Sequence, residues 1–214
     1  MDISLAAYII AGGVLGEGMR RLTRRLIQNR TGQPALSPLL KSRWSPFLWI
    51  LAGALTCGFT ALYITERVSS IEYMGIFLIL LSVTIIDISI RKIPNELLIM
   101  LLGIKLAAVA ASLNPSLLLP AFFGLLAGLA LFLVPLLIGV GVGWGDVKLA
   151  AAAGFCLGMA GILQATIIMA AVMGCYLLYL IATKKGNRKT KAALGPSLSI
   201  GMTVALLFPL ASAI

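Results

Sequence analysis

The chain of 214 residues contains no histidine, only seven acidic residues and only three cysteines. The absence of histidine excludes histidine metal sites, histidine general bases and Ser-His or Cys-His catalysis. Cys57, Cys156 and Cys175 lie inside apolar runs without CxxC spacing, which is typical of small core residues and not of a disulfide framework or a zinc site. Neither residue type indicates a metal site, and we expect no metal and no cofactor.

The residues that are present are strongly apolar. Hydrophobic residues make up 60% of the chain and charged residues 11%, with a mean hydropathy of +1.06, whereas a soluble domain is closer to half apolar and a quarter charged. Apolar runs of about 20 residues recur along the whole length, as in a helical membrane protein. Open sheets cannot satisfy their backbone in lipid, and the runs do not alternate as barrel strands do. The sequence predicts an all-α polytopic membrane protein.

The apolar runs predict about eight transmembrane helices in a single membrane-embedded domain over residues 1–214. A tract at 147–182 is too long for one span, and we expect it to divide at the segment Gly158–Gly161. A short basic cytoplasmic loop is predicted at 20–45, after a first span that we expect to be retained. The other predicted spans are 4–19, 46–65, 73–90, 96–113, 117–142 and 192–214.

The basic residues predict the orientation of these spans. Fifteen of the seventeen Lys and Arg residues fall in the loops after spans 1, 3, 5 and 7, and basic residues are retained on the cytoplasmic side of a membrane. These loops are therefore predicted to be cytoplasmic, with both termini outside. The net charge of +10 is explained by this retention and by contact with anionic lipid head groups, so we expect no nucleic acid partner.

Two aspartates stand at the ends of apolar runs, and we interpret them as one catalytic pair. Asp87 ends the third run and Asp146 opens the sixth, so both are predicted to lie at the cytoplasmic face at similar depth. Two neighbouring carboxyls share one proton. The neutral acid can donate to a peptide carbonyl while the ionised one takes a proton from water, which is the mechanism of aspartic proteases.

Residues around the aspartates are predicted to support this chemistry. Gly143 and Gly145 would permit unusual dihedral angles and the close approach of an extended substrate backbone. Lys148 would tune or screen the pair. Pro94 and Asn95 follow Asp87 after a basic stretch.

A purely structural interpretation has equal weight from position alone. Asp146 can be a helix N-cap and Asp87 an interfacial acid beside Arg91 and Lys92, because acids at span ends cost little. Lys105 lies inside the fourth predicted span and is given no role, since its long side chain can reach the interface.

The two aspartate motifs resemble those of the type IV prepilin peptidases, a family of membrane aspartic proteases. Residues 143–149, Gly-Trp-Gly-Asp-Val-Lys-Leu, match the family's GxGDxKL motif. The first family motif is an aspartate at a span end, then a basic stretch and a Pro followed by Asp or Asn, and residues 87–95 are similar to it. Residues 12–22 and 194–198 are weaker similarities to the first and last family spans, although Gly16 stands where Asn is usual.

This resemblance implies a membrane aspartic endopeptidase that removes a short basic leader from prepilin-like precursors, after a Gly and before their hydrophobic helix. It implies Asp87 and Asp146 as catalytic residues and a multi-pass protein of the prokaryotic inner membrane that serves pilus assembly or protein secretion. The oligomeric state is left open. Larger members also N-methylate their product and carry a cysteine-containing domain after span 1. The corresponding loop is short and without cysteine here, so methylation is predicted to be absent or done elsewhere.

Two other functions remain open from the sequence. A transporter or channel component would use the aspartates to relay protons or cations, but it would favour repeat symmetry, and no convincing inverted repeat is found. A catalytically silent assembly factor would not need the intact pair. Replacing either aspartate by Asn separates these functions from a peptidase.

Overall fold

The computed structural model describes residues 3–32, 40, 42–63, 67–139, 141–183 and 194–210. In these ranges the chain forms seven α-helices and one 3-10 helix, and no β-strand. The all-α prediction is confirmed. The helices are α1 (Ile3–Thr31), α2 (Ser45–Tyr63), α3 (Arg67–Ile90), α4 (Asn95–Ser112), α5 (Leu118–Leu137), α6 (Trp144–Ala182) and α7 (Leu194–Leu207), with the 3-10 helix at Pro115–Leu117.

Among the residues that the structure describes, five stretches are long and apolar enough to cross a membrane, so the chain is a polytopic helical membrane protein. They are Ser45–Leu62, Ser69–Ile90, Asn95–Ser112, Pro115–Leu137 and Trp144–Ala182. Helix α7 is apolar but shorter, and the apolar stretch of α1 is interrupted by Glu17 and Arg20. The predicted number of eight spans and their orientation stay predictions.

Helix α1 continues well beyond its predicted end. The first span is predicted to end at Met19, whereas the helix runs on to Thr31, so the first part of the predicted loop at 20–45 is helical. That this basic segment lies on the cytoplasmic side stays a prediction. Arginine is a good helix former. Glu17 also pairs along the helix with Arg20 at 2.7 Å and Arg21 at 2.8 Å, the spacings at which side chains on one helix face meet. Residues 33–39 and 41 of the predicted loop lie outside the described residues.

The chain forms two compact units, Met1–Asn114 and Pro115–Ile214. In the first unit α1 packs closely on α2, where a Cβ added at Gly12 or Gly16 of α1, or at Gly53 of α2, would collide with the opposing backbone. Helix α3 packs against α1, α2 and α4. Close helix contact through small residues is a common mode of packing in membranes.

In the second unit α5 and α7 both pack on α6. Gly124 and Gly128 of α5 meet the backbone of α6 at Gly154 and Ala150. Helix α6 has 39 residues, about 58 Å if it were straight, but Gly158 has the non-helical angles φ 72° and ψ 179°. The sequence predicted a division at the segment Gly158–Gly161, and the helix is broken at its first residue.

Candidate active site

Asp87 is positioned by the last turn of α3. It lies three residues before the end of the helix at Ile90, and only 6% of the residue is exposed. Its carbonyl oxygen accepts a hydrogen bond of 2.9 Å from the N–H of Arg91, which ends the helix in a left-handed conformation with φ 51°. Asp87 is therefore carried on a helix end and is buried.

Pro94 and Asn95 form the entry into α4. Pro94 is buried and extended, with φ −68° and ψ 132°, in the N-cap position. The residue before a helix can be proline at little cost because the first N–H groups of a helix have no partner within it. Asn95 is the exposed first residue of α4. These two residues fix the turn that returns the chain from α3 into α4.

Asp146 is positioned by the first turn of α6. Gly143 is the N-cap, and its carbonyl accepts the N–H groups of Asp146 at 3.0 Å and Val147 at 3.2 Å. In return the N–H of Gly143 donates to Oδ2 of Asp146 at 3.1 Å. This is one half of a capping box, since glycine has no side chain to complete the other half. The carboxyl is half-buried and held by its own helix start.

The predicted role of the two glycines in this motif is partly wrong. Gly143 has φ −92° and ψ 153°, which any residue can adopt, and Gly145 is helical without a positive φ. The left-handed glycines lie just upstream, at Gly139 (φ 82°) and Gly141 (φ 42°). Gly143 matters for space instead, because a Cβ there would lie 3.2 Å from Oδ2 of Asp146. Lys148 is exposed two residues after Asp146.

The sequence assigns no role to Lys105, whereas in the structure it forms an ion pair inside the first unit. Its Nζ lies 2.9 Å from Oε1 of Glu72, and the side chains are only 18% and 8% exposed. The pair joins α4 to α3. The sequence contained a signal for an ion pair at Lys105, because a charged side chain within an apolar span is expected to pair with another charge. The partner, 33 residues away, could not be chosen without the register of the two helices.

The two aspartates belong to different units, and their pairing stays a prediction. Each unit contributes one carboxyl that is fixed at a helix end, Asp87 in the last turn of α3 and Asp146 in the first turn of α6. Brought together, two such carboxyls can perform general acid–base chemistry on a peptide bond.

Comparison with known proteins identifies the family. Residues 74–179 match the model of the type IV leader peptidase family, a range that contains both aspartates. The chain is 32% identical over 175 residues to the prepilin leader peptidase/N-methyltransferase of Burkholderia pseudomallei strain 1026b, and equally to that of strain K96243. The match covers 76% of this chain and 54% of each relative, so the chain spans about half the length of the curated relatives it matches. No solved structure matches. The chain belongs to the type IV leader peptidase family.

Proposed function

We propose that the chain is a membrane aspartic endopeptidase that removes the basic leader from type IV prepilin-like precursors. The observation that carries this proposal is the family match over residues 74–179, because it includes both aspartate motifs, Asp87 with Pro94 and Asn95, and Gly143 to Lys148. The name of the Burkholderia relatives, prepilin leader peptidase/N-methyltransferase, supports the same substrate class.

The proposed mechanism uses one protonated and one ionised carboxyl, supplied by Asp87 and Asp146. The ionised carboxylate takes a proton from a water molecule as the water oxygen attacks the scissile carbonyl carbon. The protonated carboxyl gives its proton to the carbonyl oxygen, which forms a tetrahedral diol. Collapse of the diol breaks the C–N bond: the protonated carboxyl gives its proton to the leaving amine, and the ionised carboxylate takes a proton from a diol hydroxyl, which restores the dyad. The reaction needs no cofactor.

The proposed place of cleavage is the cytoplasmic membrane interface. A precursor with a charged leader and an apolar helix has its scissile bond where water meets lipid. Both aspartates lie at helix ends, three residues from the end of α3 and within the first turn of α6, and neither lies in the middle of an apolar stretch. This arrangement supports hydrolysis at the interface, where water reaches the dyad.

We propose further that this chain does not methylate its product. The segment between α1 and α2 contains thirteen residues, 32–44, without a cysteine. The expected result is a mature product whose mass is unchanged when S-adenosylmethionine is added to the cleavage reaction. A product heavier by one methyl group would contradict this part of the proposal.

Cleavage by the purified chain in detergent tests the proposed function. Wild type is incubated with a panel of precursors that carry basic leaders, and mass spectrometry locates the cut. We expect cleavage just after the leader's Gly by wild type and none by Asp87→Asn or Asp146→Asn. Folded wild type that cleaves no precursor would contradict the proposal. Proton flux into liposomes that either Asn variant abolishes would then favour the transporter, and full pilus assembly by both variants would favour the assembly factor.

A further inference from the structure

Glu96 differs from the other acidic side chains in its exposure. Of the seven acidic residues in the chain, two, Asp2 and Glu66, lie outside the described residues. Among the other five, Glu96 alone is exposed, with 54% of its side chain accessible. The side chains of Glu17 and Glu72 are 19% and 8% exposed, Asp87 is buried and Asp146 is half-buried. Among the described acidic residues, Glu96 is therefore the one whose carboxylate is most accessible to a cation from solvent.

Glu96 is paired with Arg30, and another cation can displace Arg30 from this pair. Nη2 of Arg30, in the last turn of α1, lies 3.0 Å from Oε2 of Glu96, and the side chain of Arg30 is 31% exposed. Exposed ion pairs of this kind contribute little to stability. By contrast, Glu17 accepts three hydrogen bonds from Arg20 and Arg21. Another guanidinium or ammonium group can take the place of Arg30 at little cost.

Glu96 also lies at the same end of the helix pair α3–α4 as Asp87. Asp87 is three residues from the end of α3, and Glu96 is the second residue of α4, directly after Pro94-Asn95. Three residues of helix correspond to about 4.5 Å of depth. Arg91 and Lys92 in the intervening turn are exposed cations, which repel a basic peptide. At this turn, Glu96 therefore provides the attractive position for a positive charge.

We propose that the carboxylate of Glu96 binds a basic side chain of the leader, and that Arg30 occupies this carboxylate when no substrate is bound. The inference rests on the proposed function and adds a specificity-determining residue to it. Binding replaces one guanidinium or ammonium partner by another, so the carboxylate is paired in both states. The leader's charge is thereby held beside the helix end that carries Asp87.

The competing explanation is that the Arg30–Glu96 pair only ties α1 to α4. The two explanations predict different effects of Arg30→Gln on substrate binding. If the pair is a tether, Arg30→Gln and Glu96→Gln impair the enzyme equally. If Glu96 binds the leader, Glu96→Gln weakens substrate binding while Arg30→Gln removes a competitor. A double variant with exchanged charges, Arg30→Glu with Glu96→Arg, keeps the tether and destroys the leader site.

The experiment measures kcat and KM for two precursors that differ only in leader charge, one basic and one with glutamates in place of the basic residues. For the basic leader we expect Glu96→Gln to raise KM, with kcat nearly unchanged. The rise should be at most about 5-fold, the size of an exposed charge pair, because the displacement of Arg30 offsets part of the gain from the leader's charge. Arg30→Gln should leave KM equal or lower. The charge-exchanged variant should remain impaired with the basic leader and should bind the acidic leader better than wild type does. Arg24→Gln, an exposed arginine of the same helix, is the matched control.

Three results would overturn the inference. Equal rises in KM for Arg30→Gln and Glu96→Gln, with recovery in the charge-exchanged variant, would show a tether. If wild type had the same KM for both leaders, the enzyme would not recognise the charge of the leader. No cleavage of any precursor by folded wild type would instead contradict the proposed function, and the inference would end with it. Thermal unfolding of each variant shows whether it is folded.

Discussion

At the scale of single residues, Gly143 positions the carboxyl of Asp146. The N–H of Gly143 holds Oδ2 of Asp146, and the missing side chain of Gly143 leaves room for that oxygen. The motif therefore requires a small residue three positions before the aspartate for a spatial reason. The sequence located both residues, but it predicted unusual backbone angles at Gly143, and the angles are ordinary.

We predict that Gly143→Ala slows cleavage without loss of stability. The backbone of Gly143 accommodates alanine, but the added Cβ would lie 3.2 Å from Oδ2 of Asp146, so the carboxyl must shift by a few tenths of an ångström. Small misplacements of reacting groups are costly, and we expect kcat to fall about 10-fold at an unchanged unfolding midpoint. Gly174→Ala, where added atoms meet open space, should cleave like wild type. A wild-type kcat for Gly143→Ala would contradict the account.

The ion pair of Glu72 and Lys105 leads to a prediction about stability. Lys105→Met leaves the carboxylate of Glu72 buried without its partner, and breaking a buried pair costs about 3 kcal/mol of unfolding free energy. Replacing both residues by apolar ones, Glu72→Leu with Lys105→Met, should recover most of that loss. Lys92→Met removes an exposed lysine and should change stability by less than about 0.5 kcal/mol. Equilibrium unfolding in detergent measures all three, and equal stability of Lys105→Met and wild type would refute the role of the pair.

At the scale of secondary-structure elements, the helices pack closely where glycines face each other. In the second unit, a Cβ at Gly124 of α5 would meet the backbone of α6 at Gly154 and, at 2.7 Å, the Cα of Gly158. The two helices are therefore as close as their backbones permit. Helix α6 carries Asp146, so its contact with α5 supports the site.

We predict that Gly124→Val separates α5 from α6. The added side chain has no room, and overpacking costs about 2 to 3 kcal/mol, so the unfolding midpoint should fall and cleavage should fall with it. Gly103→Val on α4 places the added Cβ in open space and controls for the weak helix propensity of valine. If both variants unfold at the same midpoint, close packing of α5 on α6 is not what stabilises this unit.

The element boundaries show which parts of the fold can be predicted from sequence. The break of α6 at Gly158 was predictable, because a tract at 147–182 exceeds one membrane crossing and glycines mark where it can divide. The end of α1 was not predictable, because charged residues end an apolar span but do not end a helix. Arg20 and Arg21 instead extend α1 by pairing with Glu17.

At the scale of the whole molecule, composition and two short motifs were sufficient to predict the class and the family. The absence of histidine and the recurring apolar runs predicted a helical membrane protein without histidine chemistry, and the motifs around Asp87 and Asp146 predicted the type IV leader peptidase family. Contacts between residues far apart in sequence, such as Glu72 with Lys105 or Arg30 with Glu96, depend on helix register and could not be predicted. The family match extends from α3 into α6 and thus over parts of both compact units.

The central claim is that Asp87 and Asp146 act as one catalytic pair, and a double-mutant cycle tests it most directly. Single-turnover cleavage of a basic-leader precursor is measured for wild type, Asp87→Asn, Asp146→Asn and the double variant, each verified as folded. Because residues that act as a unit are strongly non-additive, we predict that each single variant loses at least about 10³-fold in rate and that the double variant is no slower than either. Substantial cleavage by one single variant, or losses that multiply in the double variant, would contradict a shared catalytic function.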